Sequence, residues 1–287
     1  MTIISTLTGG IGNQMFQYAA ARALSLSAHT PVALCLYYLN RKGVVAPRRY
    51  ELGVFDIHAE TLPSMVSWWH HICADLQLPS YLAPRRYTED AFRFDPHMRT
   101  IRHPVRLHGY WQNEKYFADV APEIRRDFTF RPPLRGRNLD ISHQLQQPAA
   151  ISVHLRRADY ASDPATAKIH GVCTPDYYQQ AVSHIRARIA RPVLFFFSDD
   201  IAWTRAHLKF PEESHYIDWN TGESAWEDMR LMSLCRHHII ANSSFSWWGA
   251  WLNPRPDKIV IAPRHWFVDP VLRAASEDII PPVWIRI

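Results

Sequence analysis

The chain alternates between short runs of apolar residues and longer stretches with a single apolar face. Thr2 to Thr8 is β-branched and apolar, the pattern of a strand covered on both sides of a parallel sheet. The turn Gly9-Gly10-Ile11-Gly12-Asn13 follows. Gln14 to Ala28 then repeats at helical spacing, with Met15, Phe16, Ala19, Ala20, Ala23 and Leu24 on one face. Strand, glycine turn and helix in that order open a nucleotide-binding type of α/β unit. Pro31 to Leu36 predicts a second strand, and Val105 to Trp111 a later one ending in His108-Gly109-Tyr110-Trp111. From Asn40 to about Arg102 the chain is rich in Trp, His, Pro and Arg and follows neither period.

The second half keeps the same rhythm more clearly. Ala149 to Leu155, Val193 to Phe197, Ile239 to Asn242 and Lys258 to Ala262 predict strands. Pro175 to Arg188 and Ser224 to Arg236 predict helices, and a short helix begins at Phe245. Strands alternating with helices imply a parallel, doubly wound sheet in each half. Polar turns at Arg131-Pro132-Pro133 and at Gln144 to Pro148 mark where the halves separate. The expectation is an α/β protein of two Rossmann-like domains facing a cleft, 1–148 and 149–287. The final stretch of the chain is left free to pack back on the first domain.

Composition narrows the classes. A chain of 287 residues suits two domains of ordinary size. With 47% hydrophobic and 21% charged residues, bulk disorder and a disulfide miniprotein are excluded. The net charge of +5 is carried almost entirely by arginine, whose planar fork suits phosphate or carboxylate. An anionic small ligand, an anionic membrane surface and nucleic acid all fit that balance. The arginines form no tract and no nucleic-acid motif occurs, so no nucleic-acid partner is expected. Eleven Trp and sixteen His suggest either sugar-stacking surfaces or, more simply, a tryptophan-rich core. Cys35, Cys73, Cys173 and Cys235 are far apart with no CxxC spacing, which fits reduced thiols and no zinc knuckle. No apolar run reaches the ~18 residues of a bilayer span and no leader pattern is visible, so a cytoplasmic protein is expected.

Four segments can carry chemistry. The glycine turn lets backbone approach a ligand and lies before a helix N-terminus, which favours anions. The dinucleotide fingerprint fails, because Gly10-x-Gly12 would need a third glycine where Met15 stands, and no Walker lysine follows. His154-Leu155-Arg156-Arg157-Ala158-Asp159-Tyr160 lies at the end of a strand, where open α/β sheets bind ligands. Two arginines there can neutralise a diphosphate, with Asp159 holding one of them. Phe197-Ser198-Asp199-Asp200 delivers carboxylates that can accept guanine or ribose hydrogens or, alternatively, cap a helix. Asn242-Ser243-Ser244-Phe245 is a strand-to-helix turn with hydroxyls and amides suited to an anion. No GxSxG elbow, no HExxH and no Asp-x-Asp diphosphate clamp occurs. Cys235-Arg236-His237-His238 reads as a basic helix C-terminus rather than a metal site.

Together these segments resemble the α-1,2-fucosyltransferases of the bacterial and animal type. GGIGNQMFQYAAARAL, HGYWQNEKYF, HLRRADY with HGVCTPDYYQQA, FFFSDD and EDMRLMSLCRHHIIANSSFSWWGAWLN stand in that family's order. The resemblance weakens between Asn40 and Arg102, where acceptor-contacting variation is expected, the first domain being the acceptor side. It implies a GT-B-like architecture with GDP-fucose held mainly by the second domain, and no cofactor or metal. By similarity Arg156 grips the diphosphate with Arg157 assisting or packing, and His154 and one of Asp199 or Asp200 face guanine. Ser243, Ser244 and Phe245 border the phosphates, while Gly10, Gly12 and Asn13 approach the fucose and leaving phosphate from the first domain. The implied reaction is inverting transfer of L-fucose to the 2-hydroxyl of a terminal galactose. Asp159, Glu114 and Glu227 are the candidate bases. Animal members carry a membrane anchor, so the resemblance is to cytoplasmic bacterial enzymes. Association with the inner face of a membrane through a lipid-linked glycan stays open, as does another GDP-sugar transferase of the same fold.

Overall fold

The computed structural model describes residues 2–39, 48–76, 79, 83–157 and 164–287. The chain divides into two compact units, Met1–Pro132 and Pro133–Ile287. The division falls at the first of the two polar turns. The second turn ends a helix, Gly136–Leu145, that the sequence had hidden because its buried positions include Asn138 and Ser142. That helix packs on Trp226–Leu234 and on the first strand of the second sheet, which ties residues 136–145 to the second unit.

The first unit holds a five-stranded parallel sheet. Its strands are β1 (Ile3–Thr6), β2 (Val32–Cys35), β3 (Glu60–Thr61), β4 (Arg85–Thr88) and β5 (Val105–His108), in the order β3-β2-β1-β5-β4. β1 and β2 are buried at every position, as their continuous apolar runs require. The helix Ile11–Ala28 begins three residues earlier than its apolar period suggests, directly at the glycine turn. The stretch without a readable period contains β3, β4 and the helix Ser64–Asp75.

The second unit holds six parallel strands: β6 (Ala150–Leu155), β7 (Val193–Ser198), β8 (Ser214–Ile217), β9 (His237–Ile239), β10 (Val260–Ala262) and β11 (Ile285–Arg286). Their order is β11-β10-β9-β6-β7-β8. Counted from β6 this is the doubly wound order 3-2-1-4-5-6, with its topological switch point between β6 and β9. On one face Ile151, Val153 and Leu155 pack with Tyr178, Val182 and Ile185 of the helix Pro175–Arg186. Thr174 caps that helix by accepting the Tyr177 N–H. The helix Ser244–Leu252 carries the tryptophan core: Trp247 and Trp248 are fully buried, and the Trp247 indole donates to the Ile279 carbonyl at 2.8 Å.

At the end of the chain β11 pairs with β10 and completes the second sheet. One expectation is corrected here. His237 and His238 do not end a helix but form β9. His238 is fixed between Ser152 Oγ (2.8 Å) and Asn253 Nδ2 (2.9 Å), and His237 Nδ1 accepts the Ile259 N–H at 2.9 Å. Among the described residues no helix is long and apolar enough to cross a membrane.

Candidate functional site

The switch point of the second unit is built by the residues that leave β6, β7 and β9. β6 and β7 are in register from Ala150 opposite Val193 to Leu155 opposite Ser198. That pairing brings the turn after β6 beside the turn after β7, so Asp199 meets both arginines. Its Oδ2 lies 3.1 Å from Arg156 Nη1, and its Oδ1 accepts the Arg157 backbone N–H at 2.8 Å. The carboxylate therefore fixes the position of the Arg156 side chain and the path of the main chain at the same time. Asp200 does different work. Its side chain accepts the Trp203 N–H and caps the helix Ile201–His207, while its own N–H donates to Ser198 Oγ. Asp199 thus positions the arginine pair, and Asp200 is the helix cap.

Arg157 packs rather than reaches. Its guanidinium carbon stands 3.5 Å from the centroid of the Trp203 ring, and Nε is 4.0 Å from Asp200 Oδ2. Arg156 is the more exposed of the pair, 29% against 19% for Arg157. His154, on the buried face of β6, is tilted against Phe245 at 5.7 Å between ring centroids. Burial first, and then Arg156, push its pKa down to about 3, so the imidazole is neutral at physiological pH. Its Nδ1 has no hydrogen-bond partner among the described residues.

Across the switch point the turn after β9 leads into the helix Ser244–Leu252. Ser243 is the N-cap residue, yet its side chain makes no capping bond. The helix N-terminus adds its dipole to this edge. Asn242, read as part of an anion turn, is spent on structure: Nδ2 donates to the carbonyls of His170 and Trp266 at 2.8 and 3.2 Å. Of the candidate bases, Glu227 has its pKa raised by burial, with Arg230 at 3.7 Å opposing that shift. Beside it burial pushes Asp228 up to about 7, against a 2.8 Å hydrogen bond from Asn220. Asp159 lies outside the described residues. Glu114 begins a short 3-10 turn in the first unit.

The glycine turn of the first unit is arranged otherwise. Gly9 has φ +74°, and a Cβ there would collide with the Asn13 amide, so this position requires glycine. Gly10 is the N-cap, and the Glu51 carboxylate lies beside it and accepts the Ile11 N–H. Burial raises the Glu51 pKa, with Arg48 and Arg49 opposing. A carboxylate of the protein thus stands beside this helix N-terminus. Gly12 is buried inside the first helical turn, and Asn13 Oδ1 accepts from Gln112 Nε2 at 2.8 Å. Gln17 is fully buried and clamps both strand-end loops: it accepts the Thr8 N–H and donates to the Gly109 carbonyl. Gln14 does the same for Gly9 and Glu51.

Sequence reasoning missed Glu51, Gln14, Gln17, Gln112 and Trp203. Glutamines inside an apolar helical face were the one available signal, since a fully buried amide must bridge backbone groups. Among the described residues no three His, Cys, Asp or Glu side chains gather as a metal site would require.

Comparison with known proteins places this arrangement. The family model described as glycosyl transferase family 11 matches residues 2–287. An α-1,2-colitosyltransferase of Escherichia coli is 35% identical, over 99% of this chain and 98% of the relative. The galactoside 2-α-L-fucosyltransferase Sec1 of Mus musculus is 26% identical, over 85% of this chain and 62% of the relative. Among solved structures, NodZ α-1,6-fucosyltransferase soaked with GDP-fucose matches with a TM-score of 0.52 at 17% identity, over 91% of this chain and 94% of the other. That likeness establishes the fold, α/β with parallel sheets of the GT-B kind.

Proposed function

The chain belongs to glycosyl transferase family 11 and is a glycosyltransferase, and on that premise we propose that it transfers L-fucose from GDP-β-L-fucose, with inversion, to the 2-hydroxyl of a terminal galactose. The observation that carries this reading is the arginine pair held by Asp199 at the switch point of a 3-2-1-4-5-6 sheet. Strand ends at a switch point are where such sheets bind nucleotides. Arg156 takes the diphosphate with its fork, and Arg157, stacked on Trp203, keeps the turn rigid. Ser243, Ser244 and Phe245 line the phosphate side, where the helix Ser244–Leu252 begins.

As the bond from fucose C1 to the diphosphate breaks, negative charge grows on the departing β-phosphate. The acceptor oxygen forms its bond to C1 from the opposite face. A guanidinium and a helix dipole that are already in place meet the departing charge without reorganising. Neutral His154 contributes shape and a hydrogen bond to the nucleotide rather than charge. Asp159, next but one to Arg157 in sequence, is the proposed base for the acceptor hydroxyl. No divalent ion is assigned to the diphosphate, because Arg156 supplies the countercharge.

A second reading is favoured by the colitosyl relative: the donor sugar is colitose, which is fucose without its 3-hydroxyl. The experiment is to supply GDP-fucose or GDP-colitose with lactose, follow GDP release and determine the new linkage by NMR. The reading expects an α-1,2-fucosylated product and initial rates unchanged by excess EDTA. Turnover of GDP-colitose alone selects the second reading. A different linkage overturns the galactose O2 assignment, and activity abolished by EDTA and restored by one metal overturns the arginine-based mechanism.

A further inference from the structure

A cavity of about 470 Å³ opens in the second unit between the end of β10, the helix Pro270–Ala275 and β11. It has the size of a small-ligand site. In the sheet, β10 and β11 lie on the far side of β9 from β6, and no residue of the switch-point turns lines the cavity. Three arginines do. Arg264 follows β10, Arg273 comes from the helix, and Arg286 stands in β11 opposite Ala262.

These guanidiniums are held in place without being neutralised. Arg286 Nη2 donates to the carbonyls of Glu277 and Ile280, both at 2.8 Å. Arg273 donates from Nε to the Phe267 carbonyl at 3.4 Å and from Nη2 to the Val268 carbonyl at 3.0 Å. Arg264 is anchored by its main chain, whose N–H donates to the Ile287 main-chain oxygen at 2.7 Å. Among the described residues none of the three is ion-paired. Their charges converge: burial first, and then Arg273 and Arg264, lower the pKa of His265 in the same wall. Like charges gathered in one concavity repel, and an anion offsets that cost. Glu277 is the one acidic side chain in the lining, so the three guanidiniums leave a surplus of two positive charges. A phosphate monoester carries about two negative charges at pH 7 and offers several acceptor oxygens to the arginine forks. A carboxylate meets only half of the surplus.

We infer that this cavity is a second anion site, separate from the switch point, which takes a phosphate or diphosphate group on Arg264, Arg273 and Arg286. A soluble phosphate ester and a lipid headgroup present that same chemistry. The site does not depend on which sugar the donor carries.

The test is a calorimetric titration of inorganic pyrophosphate into Arg156→Ala protein, which lacks the switch-point fork, and into the same protein carrying Arg264→Gln or Arg264→Glu as well. Pyrophosphate binds the Arg156→Ala protein, Arg264→Gln weakens that binding about tenfold, and Arg264→Glu abolishes it. The melts stay unchanged, because the Arg264 side chain is exposed and makes no ion pair among the described residues. With Arg156 intact, Arg264→Glu keeps its GDP affinity within about twofold of the parent, as expected for separate sites. No pyrophosphate binding to the Arg156→Ala protein overturns the inference, and so does binding that both Arg264 variants leave unchanged. An equal loss of GDP in Arg264→Glu also overturns it, since the cavity would then be part of the donor site. Sedimentation with phosphatidylcholine vesicles separates the sources. Capture that requires phosphatidic acid in the vesicles and is lost in Arg264→Glu assigns the site to a lipid headgroup. Pyrophosphate binding without vesicle capture assigns it to a soluble phosphate ester.

Discussion

The two units contain the same device twice, a buried parallel strand that turns into a helix at a topological switch point, and put it to opposite uses. After β1, the Glu51 carboxylate accepts the Ile11 N–H at the helix N-terminus, and buried glutamine amides tie the loops together. After β6 and β9, the carboxylate is Asp199, which holds an arginine instead of a helix end, and no Ser243 side-chain cap occupies the N-terminus of Ser244–Leu252. Both turns have acid and arginine nearby. What differs is the group that each acid meets. A helix N-terminus is an anion site only while no carboxylate from the protein has taken it, so strand, glycine turn and helix do not by themselves locate a phosphate.

The comparison breaks most sharply at Arg156. Truncation to Ala removes the charge assigned to the departing phosphate, a loss of roughly 2–4 kcal/mol in transition-state stabilisation, or about 30- to 1000-fold in kcat/KM. Arg156→Lys recovers little of it, because a point charge does not reproduce the fork. Steady-state GDP release on a protein with a normal melt measures this, and near-normal turnover would remove the second unit's turn from the donor site.

The next two effects separate neighbours. Asp199→Asn keeps the shape but loses the charge that orients Arg156, so kcat/KM falls about tenfold with little change in stability. Asp200→Ala loses a helix cap, about 1 kcal/mol or roughly 2–4 °C in Tm, and leaves GDP affinity alone. Calorimetric GDP titration beside a melt distinguishes them. A reversal, with Asp200→Ala losing GDP and Asp199→Asn losing only stability, would return guanine recognition to Asp200.

A smaller effect concerns pH. Asp228, pushed up to about 7 by burial, holds its proton more tightly folded than unfolded. Its contribution to stability is complete below the ordinary carboxylate range near pH 4 and is lost as the pH rises through 7. Asp228→Asn therefore gains on the parent, by a few degrees of Tm, between pH 4.5 and pH 8. A melting difference independent of pH would contradict the buried, protonated carboxyl.

What was legible in the chain follows from what each element buries. β1, β6 and β7 are covered on both faces and read as continuous apolar runs. β4, with Arg85, Arg86 and Thr88 exposed, is an edge strand and has no such run; β3 is two exposed residues long. The arginine pair was legible because it ends a strand. Its partner was not, since Asp199 reaches Arg156 through the β6–β7 register, which no local period encodes. Glu51 stayed hidden for the same reason: it comes from the stretch without a period and acts on the start of the helix Ile11–Ala28, far from it in the chain.

One measurement tests the division of labour directly: calorimetric titration of GDP into the parent protein, Arg156→Ala and Glu51→Gln. The account predicts that Arg156→Ala weakens GDP by about tenfold or more, and that Glu51→Gln stays within about twofold of the parent. Unchanged affinity in Arg156→Ala together with markedly tighter binding in Glu51→Gln would contradict it, because the diphosphate would then belong at the glycine turn of the first unit.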